Sequence, residues 1–117
     1  MTGERDLNRL LASLKVTRRD GRWRFITGDR AEQPEAIMAF REAEGWTHII
    51  PAPQADTPGY IWLEISVHSS LDAVGFLAEL AARLAAANIP CNAVAGYYHD
   101  HIFVPEDKAD AALIALT

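Results

Sequence analysis

Residues 60–87, YIWLEISVHSSLDAVGFLAELAARLAAA, decide the fold of this 117-residue chain. The segment 60–68 is rich in Ile, Trp and Val, which predicts a β-strand. From Leu71 to Ala87 the apolar residues recur at helical spacing, so a long amphipathic helix is predicted to follow that strand. The apolar stripe of this helix comprises Val74, Phe76, Leu77, Leu80, Ala81 and Leu84.

Towards the C-terminus the pattern predicts a hairpin and a last helix. Cys91 to Tyr98 is predicted as a strand, His99-Asp100 as the turn, residues 101–104 as the returning strand, and residues 107–116 as a helix. The order strand, helix, strand, strand, helix is typical of α+β, ferredoxin-like folds, whose antiparallel sheet carries helices on one face. The fourth strand of that fold is missing, so we expect it from the first half or from another chain.

The first half begins with a predicted short helix from Asp6 to Leu14, for which Asp6 is the N-cap. A turn at Asp20-Gly21 and a half-buried strand around residues 23–27 follow. The apolar spacing of residues 34–44 predicts a second helix, ended by Gly45, with a strand over 46–50 behind it. Because residues 51–59 are crowded with Pro, Gly and Asp, we place a linker there and predict two halves, 1–59 and 60–117.

Composition excludes several classes of protein. The chain is 50% apolar, enough for a packed core, but its longest apolar stretch is interrupted by charged residues, which argues against a membrane span. Residues 1–8 lack the pattern of a signal peptide, so we expect a cytoplasmic protein. Cys91 is the lone cysteine and is predicted to be a small buried hydrophobe. In the second half acidic side chains outnumber basic ones, so nucleic acid is not an expected partner.

Three segments of the chain resemble the ACT domains, which are regulatory modules of amino-acid metabolism. They are DAVGFLA at residues 72–78, NIPCN at residues 88–92, and VAGYYHDHIFVP at residues 94–105. Together with FREAEG at residues 40–45, these segments are similar to a bacterial subfamily of tandem ACT-like proteins. The resemblance implies two tandem ACT-like halves and a small-molecule ligand, most simply an amino acid, with no catalytic activity.

The resemblance also implies where the ligand binds, because ACT modules associate side by side and hold it between the strand-to-helix loop of one and the second strand of another. The implied ligand-binding residues are Ser69, Ser70, Leu71, Asp72, Val74, Gly75, Phe76, Asn92, Val94, Ala95, Gly96 and Tyr97. Independently, Ser69 and Asp72 fit a capping box, and a helix N-terminus attracts a carboxylate. The same residues are equally explained as helix caps, and Gly75 as a packing position between helix and sheet. A Val at 74 replaces the Pro that usually precedes this Gly, which leaves the identity of the ligand open.

His99, Asp100 and His101 suggest a metal site, with His68 as a third histidine. The ligand count falls short of a closed site, so we expect neither a metal nor another cofactor. No G-x-S-x-G elbow, phosphate loop or dinucleotide fingerprint occurs, so no enzymatic activity is expected. Tyr97 and Tyr98 alternate along the predicted strand, which predicts one in the core and one in a pocket or an interface.

Two alternatives to ligand binding remain open at this point. One is a protein-interaction module that pairs through its sheet, and the other is a metal-dependent enzyme built on the three histidines. In every case an exposed sheet edge with small residues favours a homodimer.

Overall fold

The computed structural model describes residues 6–55, 57–67 and 74–117. Helices and strands alternate along these residues in an α+β order. In chain order they are α1 (Leu7–Ala12), β1 (Val16–Arg18), β2 (Trp23–Gly28), β3 (Met38–Glu42), β4 (Gly45–Pro51), β5 (Tyr60–Ile65), α2 (Phe76–Ala86), β6 (Asn92–Ala95), β7 (Asp100–Pro105), a 3₁₀ turn (Glu106–Lys108) and α3 (Ala109–Leu116). None of the described helices has the length and apolar character needed to cross a membrane.

The strands of the described residues form one antiparallel sheet, in which six follow the order β3-β4-β2-β5-β7-β6 and β1 pairs with β5. β5 lies centrally and pairs with β7 along its whole length. On its other side β1 pairs with residues 63–65 of β5, and β2 meets β5 at the single pair Trp23–Tyr60. The strand that the second half lacks is therefore supplied by β1 of the same chain, and the ferredoxin-like α+β prediction is confirmed.

The main core lies between one face of the sheet and the helices. β5 contributes Ile61, Leu63 and Ile65 to it, because alternate residues of a strand share a face. The other buried members are Leu10, Val67, Phe76, Leu80, Leu84, Ile89, Ile102, Val104, Ala109, Ala112 and Leu116. Each large aliphatic side chain fully buried here contributes about 1.5–3 kcal/mol relative to exposure, so this face holds the fold together.

The prediction that Asp6 caps the N-terminus of helix α1 is confirmed, since its carboxylate accepts a hydrogen bond from the Arg9 backbone N–H at 3.2 Å. Helix α2, in contrast, begins at Phe76 and not at Leu71, and Val74 is 84% exposed, outside the apolar stripe. The reason is Gly75, whose φ of 88° is left-handed and places it at the N-cap. The predicted cap at Ser69 and Asp72 lies outside the described residues.

The predicted helix over residues 34–44 is wrong, because Met38–Glu42 is an edge strand that forms a hairpin with β4. Ala43 and Glu44 form the two-residue turn, and Gly45 follows with a φ of 141°. A Cβ at residue 45 would lie 2.6 Å from the Gly28 carbonyl oxygen, so the turn requires glycine. Pairing with β4 outweighs the helical spacing of the apolar residues.

The turn of the C-terminal hairpin lies earlier than predicted. The Gly96 N–H donates to the His99 carbonyl at 2.8 Å, so residues 96–99 form the turn, while Asp100 is buried at the start of β7 opposite Ala95. Tyr97 and Tyr98 therefore lie in the turn, where they are 58% and 61% exposed. The expectation that one of them packs in the core is wrong, since strand β6 ends before both.

Candidate functional site

The face of the sheet opposite the helices encloses a half-open cavity of about 220 Å³. Its lining residues are Ile37, Met38, Ile49, Trp62, Val94, Gly96, His101 and Phe103. Met38 belongs to β3 and Val94 to β6, which stand at opposite ends of the strand order. A cavity lined by both edge strands means that the sheet curls around this face.

Strand register explains why these side chains meet. Trp62 is paired with Phe103, Val94 with His101, and Met38 with Ile49. Paired residues of antiparallel strands project to the same side of the sheet, and the intervening residues of β5 and β7 fill the helix-side core. The strands near the cavity are thus apolar on both faces.

Aromatic rings form one wall of the cavity and the layer beside it. The Trp62 and Phe103 rings stack with centroids 6.0 Å apart and planes at 24°. Phe25 meets Phe103 edge-on at 5.7 Å, and Trp23 meets Trp62 edge-on at 5.5 Å. Such contacts add about 0.5–1.5 kcal/mol each beyond the area that they bury. The wall is therefore apolar, and its rings are held in place by their neighbours.

His101 is the polar group of the cavity. The Trp62 Nε1–H donates to His101 Nδ1 at 3.0 Å, and an indole nitrogen can only donate, so Nδ1 must be the acceptor. The proton of the neutral imidazole therefore sits on Nε2, which has no hydrogen-bond partner among the described residues. A Cβ at residue 96 would come within 3.2 Å of Nε2 and 2.6 Å of the His99 oxygen, so only glycine fits between the turn and this ring.

Burial lowers the pKa of His101 below its ordinary value of 6.5. Weaker effects come from the charges around it: Glu64 and Asp100 raise the pKa of this group, while His99 and Arg19 lower it. The imidazole is therefore neutral at neutral pH, in agreement with the hydrogen bond from Trp62.

Arg19 contacts Trp62, and Glu64 holds Arg19 in place. The Arg19 guanidinium lies 4.3 Å from the centroid of the Trp62 ring and forms an ion pair of 2.6 Å with Glu64. The Arg19 backbone N–H also donates to the Trp62 carbonyl at 2.9 Å. A cation over an indole contributes about 0.5–1 kcal/mol at an exposed site, so these contacts fix the ring without entering the cavity.

The residues implied as ligand-binding by the sequence fall into several places. Val94 and Gly96 line the cavity, and Ala95 lies between them. Asn92 donates from its side chain to the Phe103 carbonyl at 3.4 Å, and Tyr97 is in the exposed turn. Phe76 packs in the helix-side core, whereas Ser69, Ser70, Leu71 and Asp72 lie outside the described residues.

The loop before α2 has a different character from the cavity. Val74 is exposed, and a Cβ at Gly75 would meet Leu7 Cδ2 at 3.6 Å, an ordinary contact distance. The left-handed φ of Gly75, not close approach of a neighbour, is what requires glycine here. Of the twelve implied residues, the structure thus brings Val94 and Gly96 to the cavity wall.

The sequence interpretation missed Trp62 and Phe103 as cavity residues. A signal for them existed, because Tyr60 and Trp62 alternate with Ile61 and Leu63, so β5 is apolar on two faces and needs a cover on each. Ile37 and Met38 had no such signal, because the spacing of residues 34–44 predicts a helix.

Among residues 6–55, 57–67 and 74–117, no group of three or more His, Cys, Asp or Glu side chains is arranged for a metal ion. The rings of His99 and His101 have centroids 6.4 Å apart, and His68 lies outside the described residues. The three-histidine arrangement therefore stays a hypothesis.

An antiparallel sheet with helices packed on one face, built from two consecutive segments, defines a ferredoxin-like module. Models of the ACT domain family match residues 59–117 and residues 2–64. The chain belongs to the ACT domain family, which confirms the resemblance noted in its sequence, and ACT domains are generally regulatory modules that bind small molecules.

A crystal structure of a Vibrio cholerae protein of unknown function, described as a possible transport protein, is similar over nearly the whole chain. The TM-score is 0.79 at 38% sequence identity, with 92% of this chain and 90% of that chain covered. A search of curated proteins finds no match to the chain.

Proposed function

We propose that this protein is a non-catalytic, cytoplasmic regulatory module that binds an amino acid in the cavity on the helix-free face of its sheet. The observation that carries the proposal is that both edge strands and the Trp62–Phe103 wall converge on one cavity. Cavities with apolar walls and few polar groups are the usual form of small-molecule sites. A volume of about 220 Å³ is below the roughly 300–1,000 Å³ typical of pockets for drug-sized molecules, so the ligand is small.

The chemistry of the lining argues against catalysis. His101 is the one titratable side chain among the lining residues, and its Nδ1 already accepts the Trp62 hydrogen bond. A nucleophile activated by a neighbouring base needs two such groups within hydrogen-bond reach. The lining is suited to holding a ligand, and the ligand should leave unchanged.

Isothermal titration calorimetry with the individual amino acids tests the proposal. Met38→Trp should fill the cavity and abolish binding, whereas Ala39→Trp, on the same edge strand but the opposite face, should bind as the wild type does. Mass spectrometry of the recovered ligand checks that it is unaltered. Equal binding by both variants would show that the ligand binds elsewhere. If the wild-type protein binds no amino acid, the proposal is wrong.

The proposal includes a homodimer. β3 and β6 end the strand order and leave unpaired edges within the described sheet, and Phe40 on β3 is 64% exposed. Pairing of such edges with a second copy satisfies their backbone groups and covers that ring. Sedimentation velocity at tens of micromolar protein should therefore show a dimer that Phe40→Lys weakens, and a single monomeric species would contradict this.

A further inference from the structure

We infer that the cavity selects an aromatic carboxylate, with the ring against Trp62 and Phe103 and the carboxylate on His101 Nε2–H. The inference rests on the proposed function and adds the chemical class of the ligand. It covers an aromatic amino acid and an aromatic acid without an amino group, since both present the same ring and the same carboxylate.

The ring position follows from the shape of the wall. Trp62 and Phe103 are the aromatic members of the lining, and the remaining lining is apolar apart from Gly96 and His101. Aromatic rings pair favourably at centroid distances of about 4.5–7 Å, a geometry that the Trp62–Phe103 pair already uses. A polar or charged side chain placed there would lose its water without gaining a partner, which is costly.

The carboxylate position follows from the tautomer of His101. Because Trp62 occupies Nδ1, the ring offers one N–H donor, at Nε2, and both His101 and the neighbouring Gly96 line the cavity. A carboxylate or carbonyl oxygen can accept that hydrogen bond, and an ammonium group cannot. A hydrogen bond to a charged acceptor contributes about 1.5–3 kcal/mol, which corresponds to a factor of about tenfold or more in affinity.

No acidic side chain lines the cavity, so no side-chain carboxylate is available there to pair with an ammonium group. Glu64 lies opposite His101 in the strand register, but its carboxylate is engaged by Arg19 at 2.6 Å. An amino group of the ligand therefore stays at the open rim in contact with water. Its removal should change affinity little, whereas removal of the carboxylate should change it strongly.

Calorimetry with matched ligands tests the inference. We expect L-phenylalanine and 3-phenylpropanoate to bind within about threefold of each other, and phenethylamine, which lacks the carboxylate, to bind about tenfold or more weakly. L-lysine and L-glutamate should not bind. His101→Leu should weaken 3-phenylpropanoate by about tenfold or more while leaving phenethylamine unchanged. His101→Gln keeps an N–H donor and should therefore bind 3-phenylpropanoate more tightly than His101→Leu does. This variant is the control for loss of folding in His101→Leu.

The outcomes separate the two proposals. If polar amino acids bind as well as phenylalanine and Met38→Trp blocks them, the ligand site stands and the aromatic class is wrong. If phenethylamine binds as tightly as 3-phenylpropanoate, the carboxylate does not sit on His101. If none of these compounds binds, both the site and the class are overturned.

Discussion

At residue 101 one hydrogen bond determines which imidazole nitrogen carries the proton. Trp62 donates to Nδ1 at 3.0 Å, and burial lowers the pKa of His101 so that the neutral form persists at neutral pH. Protonation would give Nδ1 a hydrogen, so that the Trp62 N–H would face a second N–H donor and the hydrogen bond would be lost. The aromatic wall and the charge state of a single histidine are therefore linked.

We expect this linkage to appear as a pH dependence of stability. The pKa of His101 is lower in the folded protein than its unfolded value of 6.5. Between the two values the unfolded chain binds more protons, so the free energy of unfolding falls as the pH drops below 6.5 and stays level above it. Urea unfolding from about pH 7.5 to about pH 5 should show this decline, and it should be smaller in His101→Gln. An identical decline in both proteins would contradict the assignment.

At the level of single elements, Gly75 shows how one residue sets the start of a helix. Its φ of 88° is not helical, so α2 begins at Phe76, and Phe76, Leu80 and Leu84 lie in the core. Apolar periodicity alone extends the helix to Leu71, because the pattern records which residues are apolar but not which backbone angles they adopt.

Gly75→Ala should therefore lower the free energy of unfolding by about 1–2 kcal/mol, since a side chain is strained in the left-handed region. If Gly75 lay within a regular helix, the same substitution would instead raise the free energy of unfolding. Gly28→Ala is a matched control, because a Cβ there has open space within 4 Å. Denaturant unfolding of both variants measures the difference, and a stabilised Gly75→Ala would contradict the assigned backbone geometry.

The elements that sequence predicted well are those with an unambiguous period. In β5 and β7 the aliphatic residues alternate, and in α2 Leu80 and Leu84 recur four residues apart, so both types were recognisable. The helix prediction for residues 34–44 was wrong because the spacing of Ile37, Met38 and Phe40 fits a helix as well as an edge strand. Pairing with β4 decides between them, and that information is not local. The cavity could not be predicted for the same reason, since it depends on strands distant in sequence.

For the whole molecule, the important feature is how little backbone pairing joins the outer strands β2–β4 to the central β5. β2 pairs with β5 only at Trp23–Tyr60 among the described residues. Arg22, next to that pair, reinforces the junction: its guanidinium binds both oxygens of Glu106, at 2.9 and 2.5 Å, and also donates to the carbonyls of Gln54 and Thr57. The hydrogen bond with Arg22 lowers the pKa of Glu106.

Loss of the Arg22 hydrogen bonds should loosen the junction between β2 and β5. We expect Arg22→Leu to lower the Tm and to speed proteolysis around residues 52–58, because several carbonyl oxygens lose their donor together. Arg18→Leu serves as a control, since the Arg18–Asp110 pair at 3.3 Å is largely exposed and such pairs contribute about 0–1 kcal/mol. Limited proteolysis and thermal unfolding check both variants, and equal behaviour would show that Arg22 has no special role.

The central claim is that a small ligand enters the cavity that both edge strands line, and Met38 reports on it directly. The chain has two methionines, Met1 and Met38, so a spectrum of the protein labelled with ¹³C at the methionine methyl groups contains two signals. Titration with L-phenylalanine should shift the Met38 signal, because Met38 lines the cavity together with Trp62 and Phe103. Saturable movement of that signal, absent in Trp62→Ala, is the predicted result. Binding seen by calorimetry while the Met38 signal stays in place would contradict the claim.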